Sequence, residues 1–326
     1  MIKKILWGIL IFLTLLIVVG LLGPRVKYDA LDLTTPSSLH VTIEDIDGYV
    51  QAKEATIEHL KEDNEARVVW ADSSHQKTPY SVVYLHGFSA SQGEGDPIHR
   101  LIADSIGANL FLARLRDHGL GTKEAFRDVS PQDWIDDTKE ALAIGRLIGE
   151  QVIVVSCSTG GTLSIALAPQ EHSIHSLILL SPNIEIADPN AAMITGPWGG
   201  HIIESLVGEY RMVDSTQLSQ YWSGNYHIDG LKALQGLIDQ TMNDDTFEKN
   251  TTPIYMGYYY KNAEEQDHVV SVEAMLEFYE AVGTPADQKH KTAFANAGDH
   301  VISSKYKNEN WQVVYDDIMA FLVPRL

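Results

Sequence analysis

Ser158 lies in the run Ser156-Cys157-Ser158-Thr159-Gly160-Gly161, directly after the apolar stretch Val152-Ile153-Val154-Val155 and before an alanine-rich segment of helical character. A serine hydroxyl is a poor nucleophile at neutral pH. It needs a neighbouring base, an acid that orients that base, and donors for the oxyanion that develops on an attacked carbonyl. A sharp strand-to-helix turn can present the hydroxyl to all three, provided the flanking residues are small. Ser156, Gly160 and Gly161 meet that need, with serine standing where the usual Gly-x-Ser-x-Gly pattern has its first glycine. The plain alternative is a Ser/Gly-rich loop, but a buried strand on one side and a helix on the other favour the nucleophile.

Three further segments could complete the chemistry. Ser81 to Leu85 reads as a buried strand that runs into His86-Gly87-Phe88. A glycine there lets the backbone turn, so the Phe88 N–H and the Thr159 N–H are the expected oxyanion donors, while His86 packs or hydrogen-bonds to fix the loop. Late in the chain, Asn296-Ala297-Gly298-Asp299-His300 follows a short strand and offers His300 as the base. The acid should precede it, and Asp267 lies in a polar loop after the apolar run Tyr255 to Tyr260. Asp267 could instead be a solvated loop carboxylate beside Glu264 and Glu265, and Asp299 is a rival acid, although adjacent side chains diverge. The order is then Ser158, Asp267, His300.

On these residues, and on the loop Arg114-Leu115-Arg116-Asp117-His118-Gly119, the chain from about Arg67 to Leu326 resembles the α/β-hydrolase superfamily. Within it the likeness is to serine esterases and monoacylglycerol-lipase-like enzymes, often grouped with serine aminopeptidases of the S33 type. The resemblance implies a mostly parallel, doubly wound α/β sheet, a Ser158–Asp267–His300 triad, no cofactor, and hydrolysis of a carboxylic ester, including lipid-derived ones such as monoacylglycerol or lysophospholipid. Relatives usually read Arg-Gly-His-Gly in the middle loop, so Asp117 is a departure; His118 and Gly119 are expected to be structural. An amidase or aminopeptidase of the same fold, or an inactive membrane-tethered binding protein, are the competing functions, because a fold alone does not fix the reaction.

The elements needed to position these residues are legible. Strands are expected at Arg67 to Ala71, Ser81 to Leu85, Asn109 to Ala113, Gln151 to Val155, Ser176 to Leu180, Pro253 to Tyr260 and Lys289 to Ala295, alternating with helical patterns. Asp96-Pro97 and Ser130-Pro131 read as helix starts, and Trp311, Val314, Tyr315, Ile318 and Leu322 form a helical stripe. Residues 183–250 break the alternation over a length no ordinary crossover needs and carry many aromatic residues, so a cap insertion is expected there.

The amino end is different in kind. Ile5 to Gly23 is an uninterrupted uncharged run that, as a helix at about 1.5 Å per residue, spans a bilayer core of about 30 Å. Lys3 and Lys4 precede it, which favours a cytoplasmic amino end and an extracytoplasmic hydrolase, periplasmic or extracellular. No Ala-x-Ala-like cleavage site follows, so residues 1–23 read as an uncleaved transmembrane signal anchor, 24–41 as a tether, and 42–326 as the hydrolase domain. Thr42 should cap a helix reaching through Ile57 and Leu60 that docks on the body. The net charge of −20 argues against nucleic-acid partners. With one cysteine, Cys157, no intrachain disulfide can form, and the thirteen histidines show no metal-ligand spacing.

Overall fold

The computed structural model of the chain describes residues 2–37, 39–214 and 219–326. Seven strands form one sheet: β1 (Arg67–Val69), β2 (Thr78–Leu85), β3 (Asn109–Leu112), β4 (Gly149–Cys157), β5 (Ile174–Leu180), β8 (Ile254–Tyr258) and β9 (Lys289–Ala293). Their order is β1-β3-β2-β4-β5-β8-β9, with every neighbouring pair parallel except β1 with β3. The runs rich in Val, Ile and Leu sit at its centre because a parallel strand is covered on both faces and has no wet side. Two apolar clusters, one on each face, bury Val83, Val154 and Leu179 on one side and Val82, Ile153 and Ile178 on the other.

Helices α3 (Ile98–Ile106), α4 (Pro131–Ile148), α5 (Thr159–Leu167), α9 (Val272–Ala281) and α10 (Trp311–Leu322) connect or flank the strands. The start of α4 follows its sequence signal closely. Ser130 accepts from the Asp133 amide, Asp133 returns the bond to the Ser130 amide, and Pro131 occupies the first turn. At Asp96-Pro97 the peptide is cis and the helix begins one residue later than the proline rule suggests.

Between β5 and β8 the chain leaves the sheet through α6 (Gly199–Val207), a short hairpin of β6 (Tyr210–Arg211) and β7 (Tyr226–His227), α7 (Asp229–Thr241) and α8 (Asp244–Lys249). This excursion is not all cover. Leu234, Leu237 and Ile238 of α7 and Phe247 of α8 are buried in the main core, and α7 packs on α4 and α5 as a crossover helix would.

Ahead of the sheet, α1 (Ile2–Leu21) carries the long apolar run and none of its window is buried against the rest of the chain. Helix α2 (Ile46–Glu54) docks through Ile46 and Val50, and Glu54 meets Arg114 in a buried two-pronged ion pair at 2.6 and 3.0 Å. The expected extension to Leu60 fails because the chain turns after Glu54; Leu60 instead pairs as a β-bridge with Leu120. The described residues of the stretch joining α1 to α2 form no helix or strand, as their lack of periodicity implies, yet they make a docked strap. Asp32 donates to Gln132 and its carbonyl accepts from the buried Lys139 ammonium, Leu31 donates to Gln240, and Tyr28, Leu31 and Leu33 pack on the core.

Candidate active site

The β4–α5 junction is built around a backbone conformation that side chains rarely adopt. Ser158 has φ 52° and ψ −117°, and the turn is held from both sides: its amide donates to Leu180 at 3.1 Å, and its carbonyl accepts from Gly161 at 2.8 Å and Asn183 at 3.0 Å. Strain of this kind persists only where the surroundings over-determine it. Gly160 shows why the motif demands glycine, since a Cβ there would sit 2.1 Å from the Leu85 carbonyl oxygen. Ser156, by contrast, lies fully buried within β4, with its hydroxyl directed at the Ile178 carbonyl at 3.5 Å.

Asp267 and His300, thirty-three residues apart, are brought together by the ends of β8 and β9. The His300 Nδ1 lies 2.6 Å from Asp267 Oδ2. The other carboxylate oxygen of Asp267 accepts the Val269 and Val270 amides at 2.8 and 3.1 Å, which fixes the carboxylate plane. Ser181 at the end of β5 donates to the His300 carbonyl at 2.7 Å and fixes the histidine backbone. Burial by itself would pull the imidazole down, but the Asp267 hydrogen bond and charge, with help from Glu94 and Asp299, carry it above its ordinary value. Asp299 is not a competitor for the ring, because its carboxylate accepts the Val301 amide at 2.9 Å. The His300 Nε2 is buried with no hydrogen-bond partner among the described residues, and His300 and Ser158 line the same cleft. No hydrogen bond joins the two.

The loop after β2 is organised by buried, uncharged histidines. His86 Nε2 accepts the Leu115 amide at 3.1 Å and its Nδ1 is 2.9 Å from the Gly87 carbonyl; burial pulls it down to about 4. The His118 ring lies tilted against it, with centroids 4.8 Å apart, and is likewise held well below its usual range by burial. Phe88 packs on Phe126 and Tyr226, so the loop rests on an aromatic floor. The Phe88 and Thr159 amides make no hydrogen bond among the described residues, and both residues line the cleft. Asp117, the departure from the relatives' glycine, has φ 62°, a left-handed position that aspartate tolerates better than most residues.

One member of the site carries no signal in the sequence analysis. Glu94, in a short turn between two glycines, is 2% exposed and aims its carboxylate into the site. It accepts the Gly87 amide at 2.6 Å and the Tyr84 hydroxyl at 3.1 Å. It has no cation within ion-pair distance among the described residues, and burial pushes its carboxyl up to about 7 despite those donors. The only available hint was the Gly93-Glu94-Gly95 pattern, which brings the backbone close on both sides. Cys157, next to Ser158, is fully buried, and burial with the nearby Glu94 charge raises its thiol well above the usual range.

The cleft measures about 790 Å³. Ile186, Val213, Leu231, Leu234 and Val269 give it an apolar wall, and Arg211 and Lys307 lie among its polar lining. Its size is that of a site for one small organic molecule.

No family model matches the chain. A thermostable monoacylglycerol lipase of Bacillus sp. (strain H-257) is 23% identical over 141 residues, 43% of this chain, so the match spans little more than half (56%) of that relative. Among solved structures, one from the metagenome-derived lipolytic enzymes LipS and LipT superposes with a TM-score of 0.65 at 15% identity, over 80% of this chain and 98% of that one. A soluble variant of monoglyceride lipase from Saccharomyces cerevisiae, solved with a substrate analog, gives 0.57 at 13%, over 80% and 91%. The monoacylglycerol lipase of Paleococcus ferrophilus gives 0.55 at 13%, over 80% and 98%. The chain has the α/β-hydrolase fold with a mostly parallel central sheet, and it has monoacylglycerol-lipase-like relatives.

Proposed function

We propose that this chain is a serine-dependent hydrolase of carboxylic esters, lipase-like in taking acyl chains, and tethered to a membrane by α1. The observation that carries the proposal is the buried Asp267–His300 pair at 2.6 Å, whose free Nε2 shares a cleft with the strained Ser158. Lipolytic relatives of the same fold support an acyl ester as the substrate class. Residues 1–23 act as the anchor with the amino end in the cytoplasm, 42–326 form the outward-facing hydrolase, and part of 183–250 covers the cleft.

In this reading the Ser158 hydroxyl attacks the ester carbonyl and passes its proton to His300 Nε2. The Phe88 and Thr159 amides stabilise the tetrahedral oxyanion, and Glu94 positions the first of them by holding the preceding Gly87 peptide. The imidazolium, stabilised by Asp267, gives its proton to the leaving alcohol. Water then attacks the acyl-enzyme by the same route in reverse and releases the acid.

The test is chemical. Wild-type protein should react with a fluorophosphonate probe and cleave short-chain aryl esters, and Ser158→Ala should lose both, with turnover falling on the order of a millionfold. Labelling that survives in Ser158→Ala overturns the assignment.

A further inference from the structure

Among the described residues, six of the fourteen large apolar side chains exposed outside α1 fall between positions 193 and 212, while the other eight are scattered from Leu22 to Leu326. Scattered ones need no explanation, but a concentration does. Its centre is the first-to-last-turn stripe of α6: Trp198, Ile202 and Leu206, at i, i+4 and i+8, are 38%, 43% and 78% exposed. A surface helix normally turns such a stripe inward. Here it faces out, flanked by Val207 and Met212 at 47% and 58%.

The stripe begins where α1 ends. The Trp198 indole N–H donates to the Val19 carbonyl at 2.9 Å, and its backbone N–H donates to the Pro24 carbonyl at 2.7 Å. The ring is so close to Gly23 that any Cβ there would lie 2.0 Å from it. Tryptophan favours the membrane–water boundary, where its ring is in apolar surroundings and its N–H is satisfied. The strap then fixes this junction to the body through Gln132, Lys139 and Gln240. Charge on the stripe helix is already compensated, since Glu204 pairs with Lys232 at 2.5 Å. Directly past the stripe, Arg211 and Val213 line the cleft that holds Ser158.

We infer that the Trp198–Ile202–Leu206 face lies in the surface of the bilayer that α1 crosses, so that the cleft receives a single-chain acyl amphiphile from the membrane rather than from water. The inference rests on the proposed anchoring and hydrolase activity. Continuity with α1 identifies the occupant: a second protein copy would not require the stripe to start at the helix exit. The net charge of −20 makes apolar burial, and not attraction to anionic lipid, the source of the contact, so neutral phosphatidylcholine should suffice.

The test uses the full chain in phosphatidylcholine vesicles. Because Cys157 is buried and is the sole cysteine, Leu206→Cys can be labelled specifically with an environment-sensitive dye. The dye should be quenched by doxyl-labelled lipid and protected from aqueous iodide; quenching by iodide and not by lipid overturns the inference whether or not the protein is an esterase. In parallel, Ile202→Glu with Leu206→Glu should lower cleavage of 1-monooleoylglycerol carried in the vesicles by at least tenfold. The same variant should leave cleavage of p-nitrophenyl acetate unchanged, which also reports that it folds. Equal cleavage of the vesicle substrate by variant and wild type overturns the inference. A wild type that cleaves neither ester counts against the hydrolase activity, while the dye still reads the membrane contact.

Discussion

Replacing Glu94 with glutamine removes a buried acid while keeping its shape, and the consequence can be worked out from its surroundings. The folded-state carboxyl is pushed up to about 7 by burial, against an ordinary 4.5. Between those values the unfolded chain has released its proton and the folded chain still holds it. The folded state therefore binds more protons, and stability falls as pH rises through the window from about 4.5 to 7. At about 1.4 kcal/mol per unit, the loss is on the order of 3 kcal/mol, absent below the window and complete above it. Glutamine cannot titrate, so the stability of Glu94→Gln relative to wild type should rise by about that amount between pH 4 and pH 8. Urea unfolding of both proteins at the two pH values, in detergent, measures it. A difference that is the same at both pH values refutes the reasoning, because it would mean the carboxyl titrates alike folded and unfolded. Catalysis gives a second reading. An amide oxygen can still accept the Gly87 N–H, so glutamine should cost little, whereas Glu94→Ala frees the Gly87 peptide and should lower kcat by roughly 10²–10³, the cost of one misplaced oxyanion donor.

Two other perturbations separate chemistry from architecture. Asp267→Asn should lower kcat/KM by about 10⁴, as loss of the orienting carboxylate does in such triads. Because Asp267 helps hold the His300 imidazole above its ordinary value, the acidic limb of the wild-type kcat/KM profile should lie above that value and move to lower pH in the variant; a limb that stays in place counts against the pair. Arg114→Ala leaves the Glu54 carboxylate buried and unpaired, so denaturant unfolding should show a loss of about 3–5 kcal/mol, with residual activity per folded molecule unchanged.

The sheet was readable because its central strands are short β-branched runs buried on both faces, a pattern carried by consecutive residues. Ser158 and His300 were readable for a related reason: each stands at a strand end marked by glycine, and the chain order constrains the acid between them. Asp267 needed that order, since nothing local distinguishes it from Glu264 and Glu265 except the amides of Val269 and Val270, which only the folded loop supplies. Glu94 was not readable, because a carboxylate between glycines describes a wet turn as well as a buried one. Its burial depends on Tyr84 and Gly87, which arrive from β2 and its following loop. Helix α2 ends short of its apolar spacing because Ile57 and Leu60 meet the core from a turn. Residues 183–250 mix two tasks that composition cannot separate, since Leu234 both packs in the core and lines the cleft.

The strap also changes where the protein begins as a physical object. Lys139 is 5% exposed, and its ammonium group donates to the Asp32 carbonyl. Cutting the chain at Thr42 would take away that acceptor and the Asp32 carboxylate, leave the buried Lys139 with Asp136 at 3.8 Å, and uncover the seat of Tyr28, Leu31 and Leu33. A fragment cut near Pro24 keeps these contacts and should unfold at higher denaturant than one cut at Thr42. The strap thus serves two neighbours at once, since the Pro24 carbonyl accepts from the Trp198 amide beside the end of α1 while the Asp32 carbonyl holds Lys139 in the body.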